Sequence, residues 1–190
     1  MIRDRNVDWK TGRTYIGWKD LTGTIGCTGG TVFVWLDAGA VVAQEISTTN
    51  LGAPLMEAAD DQLSHNMVVP QEWDPNYPLK FSVNWTHGSS TTGDSVTWLV
   101  LCDFKAENVA LAAASTALDT VIADDNVVTQ WGNQWTPQGI KNANWLTRAQ
   151  VDSGRYQMVL SIEAAVLTDI TEDIHFLGLE IEFTRRMTKS

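Results

Sequence analysis

Between residues 79 and 86 the chain alternates without a break: Leu79, Phe81, Val83 and Trp85 are apolar, while Lys80, Ser82, Asn84 and Thr86 are polar. A period of two is that of an extended strand whose side chains point to opposite faces, so this segment predicts a strand with one face on a core and one toward water. After the turn-rich stretch HGSSTTGD comes SVTWLVLCDF, where Val96, Trp98, Val100, Cys102 and Phe104 share one face. Leu99 and Leu101 make the other face partly apolar as well, which predicts a strand inside a sheet. The two segments read as one long antiparallel hairpin. A second is expected near the C-terminus, where Tyr156, Met158, Leu160, Ile162, Ala164 and Val166 alternate before TDITED, and Leu177, Leu179, Ile181 and Phe183 alternate against Glu180, Glu182 and Thr184 after it. RTYIGW, TVFVWL and AVVAQEI predict shorter strands, separated by TGTIGCTGG and DAG, whose glycines suit turns.

Three stretches leave this rhythm. APLMEAADDQL puts Pro54 at a first helical turn with acidic residues behind it, and AENVALAAASTALDTVI is alanine-rich, so one or two short helices are expected there. TQWGNQWTPQGIKNANWLT predicts a long connection with room for one further strand. Strands this numerous, without helices alternating between them, predict an all-β fold: an antiparallel β-sandwich, jelly-roll-like. A doubly wound α/β fold lacks both its helices and its glycine-rich phosphate loop. Residues 1–190 read as a single domain, with 1–12 a candidate N-terminal arm.

Composition narrows the function. The formal net charge is −10, with 13 basic residues scattered along the chain, which argues against nucleic acid as a partner because that grip needs clustered Lys and Arg. The densest basic cluster, TRRMTK near the C-terminus, reads as a solvated tail. No apolar run is long enough to span a bilayer, and the start MIRDRNVDWKTG does not have the form of a secretory signal, so no membrane partner and a cytosolic product are expected. Cys27 and Cys102 then read as reduced thiols, Cys102 as a small buried hydrophobe. His65, His87 and His175 have none of the spacings of a zinc site, and no cofactor is expected.

The candidate chemistry is sparse. Trp73-Asp74 could form the lip of a carbohydrate site, but Asp74-Pro75 favours a plain turn with Trp73 packed over one end of the sandwich. His87 reads as a turn histidine. Asp60-Asp61, Asp124-Asp125 and DITED crowd oxygen ligands without the loop that calcium requires, and read as solvated loops. The sequon at Asn84 lies in a strand and is discounted. No catalytic constellation emerges, and the chain is not expected to be an enzyme. Nine tryptophans remain to be explained. Trp85 and Trp98 fall on apolar faces, whereas Trp131, Trp135 and Trp145 sit in a polar connection, where indoles act either as core or as anchors for protein contacts or sugar stacking.

The order of the motifs resembles a group of structural β-sandwich proteins of tailed-phage virions, over about residues 68 to 186. The positions that carry the likeness are Pro70, Trp73, Asp74, Trp85, Val96, Trp98, Asp173, Leu177, Gly178 and Leu179. They are scaffold positions; the N-terminal third lies outside the likeness. The resemblance implies a capsid decoration or cement protein, made in the host cytoplasm and carried in the virion. Such a protein would be a homotrimer that reinforces the major capsid protein lattice through subunit contacts. The alternative on the same sandwich is a tail or receptor-binding module that recognises host surface carbohydrate, with its tryptophans grouped on one surface.

Overall fold

Among the described residues the chain forms twelve strands and one short helix. They are β1 (Thr11–Gly17), β2 (Leu36–Asp37), β3 (Val42–Glu45), β4 (Gly52–Leu55), β5 (Gln62–Val68), β6 (Leu79–His87), β7 (Ser95–Lys105), β8 (Ile122–Asp124), β9 (Gln134–Trp135), β10 (Gly139–Lys141), α1 (Arg148–Asp152), β11 (Gln157–Thr168) and β12 (Ile174–Thr184). The structure, a computed structural model, describes residues 11–17, 36–37, 42–46, 52–56, 62–88, 95–111, 122–124, 130–136, 138–141, 146–168 and 173–186. Residues 1–10 of the expected arm, Cys27, Asp60, Asp61, Asp125 and Trp145 lie outside them.

The strands form two antiparallel sheets. The first has the order β10-β6-β12-β4-β3, with β1 also paired to β12 and β9 to β6; the second runs β2-β5-β11-β7-β8. Between consecutive described strands the chain stays in one sheet only at β3–β4, β7–β8 and β9–β10. This repeated crossing makes the sandwich jelly-roll-like. The core lies between the layers. Leu79, Phe81, Val83 and Trp85 of the first sheet meet Val96, Trp98, Val100, Cys102, Met158, Leu160 and Ile162 of the second, all essentially without solvent contact. Trp85 and Trp98 touch edge to face, with ring centroids 6.1 Å apart, the arrangement that aromatic quadrupoles favour.

The two expected hairpins do not exist as hairpins. β6 pairs with β12 and β7 with β11, so each pair of consecutive strands is an arch joining opposite sheets. Alternation specifies which face of a strand is buried and is silent about its partner. When both strands turn their apolar faces toward one another across a core, the pattern is identical to that of neighbours in one sheet.

A second correction concerns phase. Leu177 was expected in the core with Leu179, Ile181 and Phe183, yet it is only half-buried and Phe176 and Ile174 are inside. The register against β6 shifts between Phe176 and Gly178, and this bulge absorbs one residue and inverts the alternation. A similar shift between Ala164 and Val166 interrupts β11.

The expected helix at APLMEAADDQL is replaced in its described parts by β4 and the start of β5. Pro54 sits opposite Ala43 in a short strand pair, where cross-strand packing overrides local propensity. Of the alanine-rich stretch, residues 106–111 form a turn with Asn108 in the left-handed region (φ 65°), Ile122 begins β8, and the intervening residues lie outside those described. The helix that does form, α1, follows directly on the expected connection, whose last residue, Thr147, is its N-cap. Its start is fixed by a capping box in which the Thr147 side chain accepts from the Gln150 amide and the Gln150 side chain accepts from the Thr147 amide. The same connection holds β9 and β10, two strands where one had been allowed for.

Candidate functional site

The Trp73-Asp74 lip is wall. Trp73 is buried, its indole N–H donates to the Tyr77 carbonyl at 3.1 Å, and its ring stacks on Phe104 at 5.9 Å. Asp74 spends its carboxylate locally, accepting from the backbone and side-chain nitrogens of Asn76. The Asp74 amide donates to Thr184 and the Arg186 amide donates to Glu72, so the turn is fastened to the end of β12. His87 is not a turn residue: it closes β6, wholly buried beside Trp85. Cys102 is wholly buried in the core.

The polar face of the first sheet, expected toward water, is itself largely covered, with Ser82, Asn84, Thr86 and His175 buried. Its three long strands present a cross-strand ladder read from the register: Thr86 faces His175; Asn84 faces Gly178 and, on its other side, Trp135; Ser82 faces Glu180, which faces Tyr15; Lys80 faces Glu182, which faces Arg13. From Lys80 to Thr86 the ladder extends about 20 Å at the usual rise of a strand.

Over its middle lie two aromatic rings. Tyr15 is 50% exposed and Trp135 43%, with centroids 5.9 Å apart. Tyr15 leans across Gly178. Its hydroxyl donates to the Leu177 carbonyl at 3.1 Å and accepts from the Asn84 amide nitrogen at 3.3 Å, so the ring is held at its tip while about half of the residue stays exposed. Gly178 is required for this: a Cβ there would stand 2.5 Å from the Tyr15 hydroxyl and 2.8 Å from the Ile16 carbonyl oxygen. The bulge at Leu177 and the glycine after it are thus the local devices that seat Tyr15.

Trp131 lies beyond Trp135 in a left-handed backbone conformation (φ 58°) and packs against His175 at 5.9 Å. Its amide donates to the His87 carbonyl at 2.7 Å, and the Gln130 side chain donates to the Gly88 carbonyl, tying this turn to the end of β6. Trp131 is half-buried and Trp135 exposed, so of these two tryptophans Trp135 is the open one; Trp145 lies outside the described residues. Tyr15 was not singled out, and Asn84 only as a discounted sequon. The signal available for Tyr15 was the lone glycine inside a strand pattern at 178, which marks close approach.

The ionic end of the ladder is closed on itself. Glu182 takes Lys80 at 2.9 Å on one oxygen and Arg13 at 2.8 Å on the other, with Gln138 donating as well. Burial pushes its carboxyl up, but the Lys80 hydrogen bond and charge, with those of Arg13 and Gln138, outweigh that and hold it below the usual carboxylate range. Glu180, two residues away on the same face, has no ion-pair partner among the described residues.

A separate groove of about 510 Å³ opens where β1 and the end of β5 approach, lined by Arg13, Met67, Val68, Glu72, Phe183 and Arg185 among others. Its carboxylate, Glu72, is paired with Arg185 at 3.0 Å. Among the described residues no three metal-ligating side chains cluster.

No protein-family model matches this chain, and no curated protein does. Solved structures share its layout. A carbohydrate-binding module CBM36, solved with calcium and xylotriose, aligns with a TM-score of 0.41 at 10% identity, covering 78% of this chain and 98% of that one. The CBM36-1 domain of a multidomain xylanase from the hindgut metagenome of Trinervitermes trinervoides also gives 0.41 at 10% identity, covering 94% and 100%. The enzymatically active domain of bacteriophage CBA120 tailspike protein 4 gives 0.29 at 6% identity, covering 93% of this chain and 19% of that one. At these scores the likeness carries no argument about ligand or role.

Proposed function

We propose that this chain is a carbohydrate-recognising β-sandwich module, of the tail or receptor-binding kind, in a phage particle. The observation that carries it is the Tyr15–Trp135 pair: two half-exposed rings held over a polar ladder by hydrogen bonds at the tyrosine tip. Sugars present apolar C–H faces and a rim of hydroxyls, and a fixed aromatic surface flanked by amide and carboxylate groups complements both. Fixing the ring in advance removes ordering entropy from the binding step.

Binding rather than cleavage is favoured by the carboxylates. Glu180 and Glu182 stand about 7 Å apart, two residues along one strand, which is a spacing that glycosidases use. A hydrolase, however, needs its two acids on either side of the scissile bond and one of them with a raised pKa. These two share a single strand face, and the Glu182 carboxyl is lowered.

The phage setting rests on the sequence resemblance. The decoration role it implies would use broad faces as subunit contacts with the major capsid protein and with other copies. The small platform and its ladder fit a glycan better than they fit a lattice.

The test is affinity electrophoresis of the full chain in gels containing host-surface polysaccharides, with tryptophan fluorescence as a second readout. A binding polysaccharide is expected to retard the protein and perturb Trp135. Trp135→Ala should weaken the interaction about tenfold or more, the scale of a lost aromatic anchor, without moving the melting temperature appreciably. Unchanged mobility across the whole set, or undiminished binding by the variant, would overturn the reading.

A further inference from the structure

We infer that the ligand of this face is a neutral glycan, and that Glu180 is the residue that rejects acidic ones. This rests on the glycan reading above and names the class of sugar. The ladder carries four charged side chains: Arg13, Lys80, Glu180 and Glu182. Both cations are ion-paired with the two oxygens of Glu182, at 2.8 and 2.9 Å, which weakens what either offers a uronate or sialate carboxylate. Glu180 is the one charged group of the ladder outside that triad. It lies next to Tyr15 across β1–β12 and next to Ser82 across β12–β6, and among the described residues it has no ion-pair partner.

An ionised carboxylate accepts hydrogen bonds and donates none. Beside an aromatic platform it accepts hydrogen bonds from sugar hydroxyls, most effectively two vicinal ones, through charge-assisted bonds. A carboxylate on the sugar in the same place brings two like charges within a few ångströms, and the neighbouring cations are already ion-paired with Glu182. The net charge of −10 adds a long-range repulsion of the same sign. A cationic sugar is attracted by the same field, but the hydroxyl-accepting ladder gives it no advantage that a neutral chain lacks.

The experiment uses matched polysaccharides that differ only in charge: a soluble neutral glucan against its own C6-oxidised polyglucuronate, and a galactan against its own C6-oxidised product. Binding is measured by affinity electrophoresis and calorimetry at low and high salt. The neutral member of a pair is expected to bind at least about tenfold more tightly, the equivalent of about 1.4 kcal/mol, with the gap narrowing in high salt as the repulsion is screened. Glu180→Gln should shrink the gap by raising affinity for the acidic member, with an unchanged melting temperature. Equal or tighter binding of the acidic member overturns the inference and leaves the glycan reading standing. So does a gap that Glu180→Gln does not alter. Binding of neither member in either pair overturns both.

Discussion

Gly178 has room for a hydrogen and for nothing larger, because Tyr15 crosses the strand at that point. The consequence reaches the site directly, since the tyrosine hydroxyl bonds to Leu177 and Asn84 from that position. Gly178→Ala forces either the ring or the β1 backbone away. The expected cost is about 1 to 3 kcal/mol of stability, as for other overpacked positions, together with a loss of glycan affinity. Urea denaturation and affinity electrophoresis check the two effects separately. A variant that keeps full stability and full binding would mean that Tyr15 is not held as described. Trp131 and Trp135, four residues apart, show the same dependence on surroundings. One leans on a buried histidine and the other faces outward, and the difference comes from where the chain meets β6.

At the level of strands, β12 is the spine of the first sheet, paired with β6 along one edge and with β1 and β4 along the other. His175 marks the junction, opposite both Thr86 and Leu55 and wholly buried. Its Nδ1 lies 3.4 Å from the Ala53 carbonyl oxygen, and its Nε2 is buried with no hydrogen-bond partner among the described residues. Burial lowers its pKa below the ordinary 6.5, against smaller raising effects from the Ala53 carbonyl and Asp173. The sign follows from linkage. With a depressed folded-state value, the unfolded chain binds more protons between the two pKa values. The stability linked to this residue is therefore complete above 6.5 and is lost as the pH falls through that value toward the folded one. Denaturation between about pH 8 and about pH 5 should show the decline, and His175→Gln should flatten it below 6.5. A slope that the substitution leaves unchanged would assign it to other groups.

For the whole molecule, repeated crossing between sheets joins strands that are distant in sequence. β1 contributes Tyr15, β6 contributes Asn84, β9 contributes Trp135 and β12 contributes Glu180 to one face. The other end of the sandwich is closed by Trp73 over Phe104. A tail or receptor-binding module would be present in a phage particle in few copies, and a capsid decoration protein in far larger number. Quantitative gel analysis of purified virions is expected to give the low copy number; stoichiometry matching the capsid lattice would favour decoration.

The sequence by itself determined which face of the long central strands forms the core. The alternation at 79–85 and 96–102 is the core, and Trp73-Asp74 as a turn and Trp85 and Trp98 as core residues follow from the same pattern. Burial is a property of each strand's own two faces, so a single strand carries the information. Which strand lies beside which was decided only in the tertiary structure, because two arches and two hairpins share one hydrophobic pattern. The bulge at Leu177 was hidden for a related reason: an extra residue reveals itself only against a partner strand. The Tyr15–Trp135 platform was out of reach for the same cause, since its residues are neighbours through β12 and β6 and through nothing local along the chain.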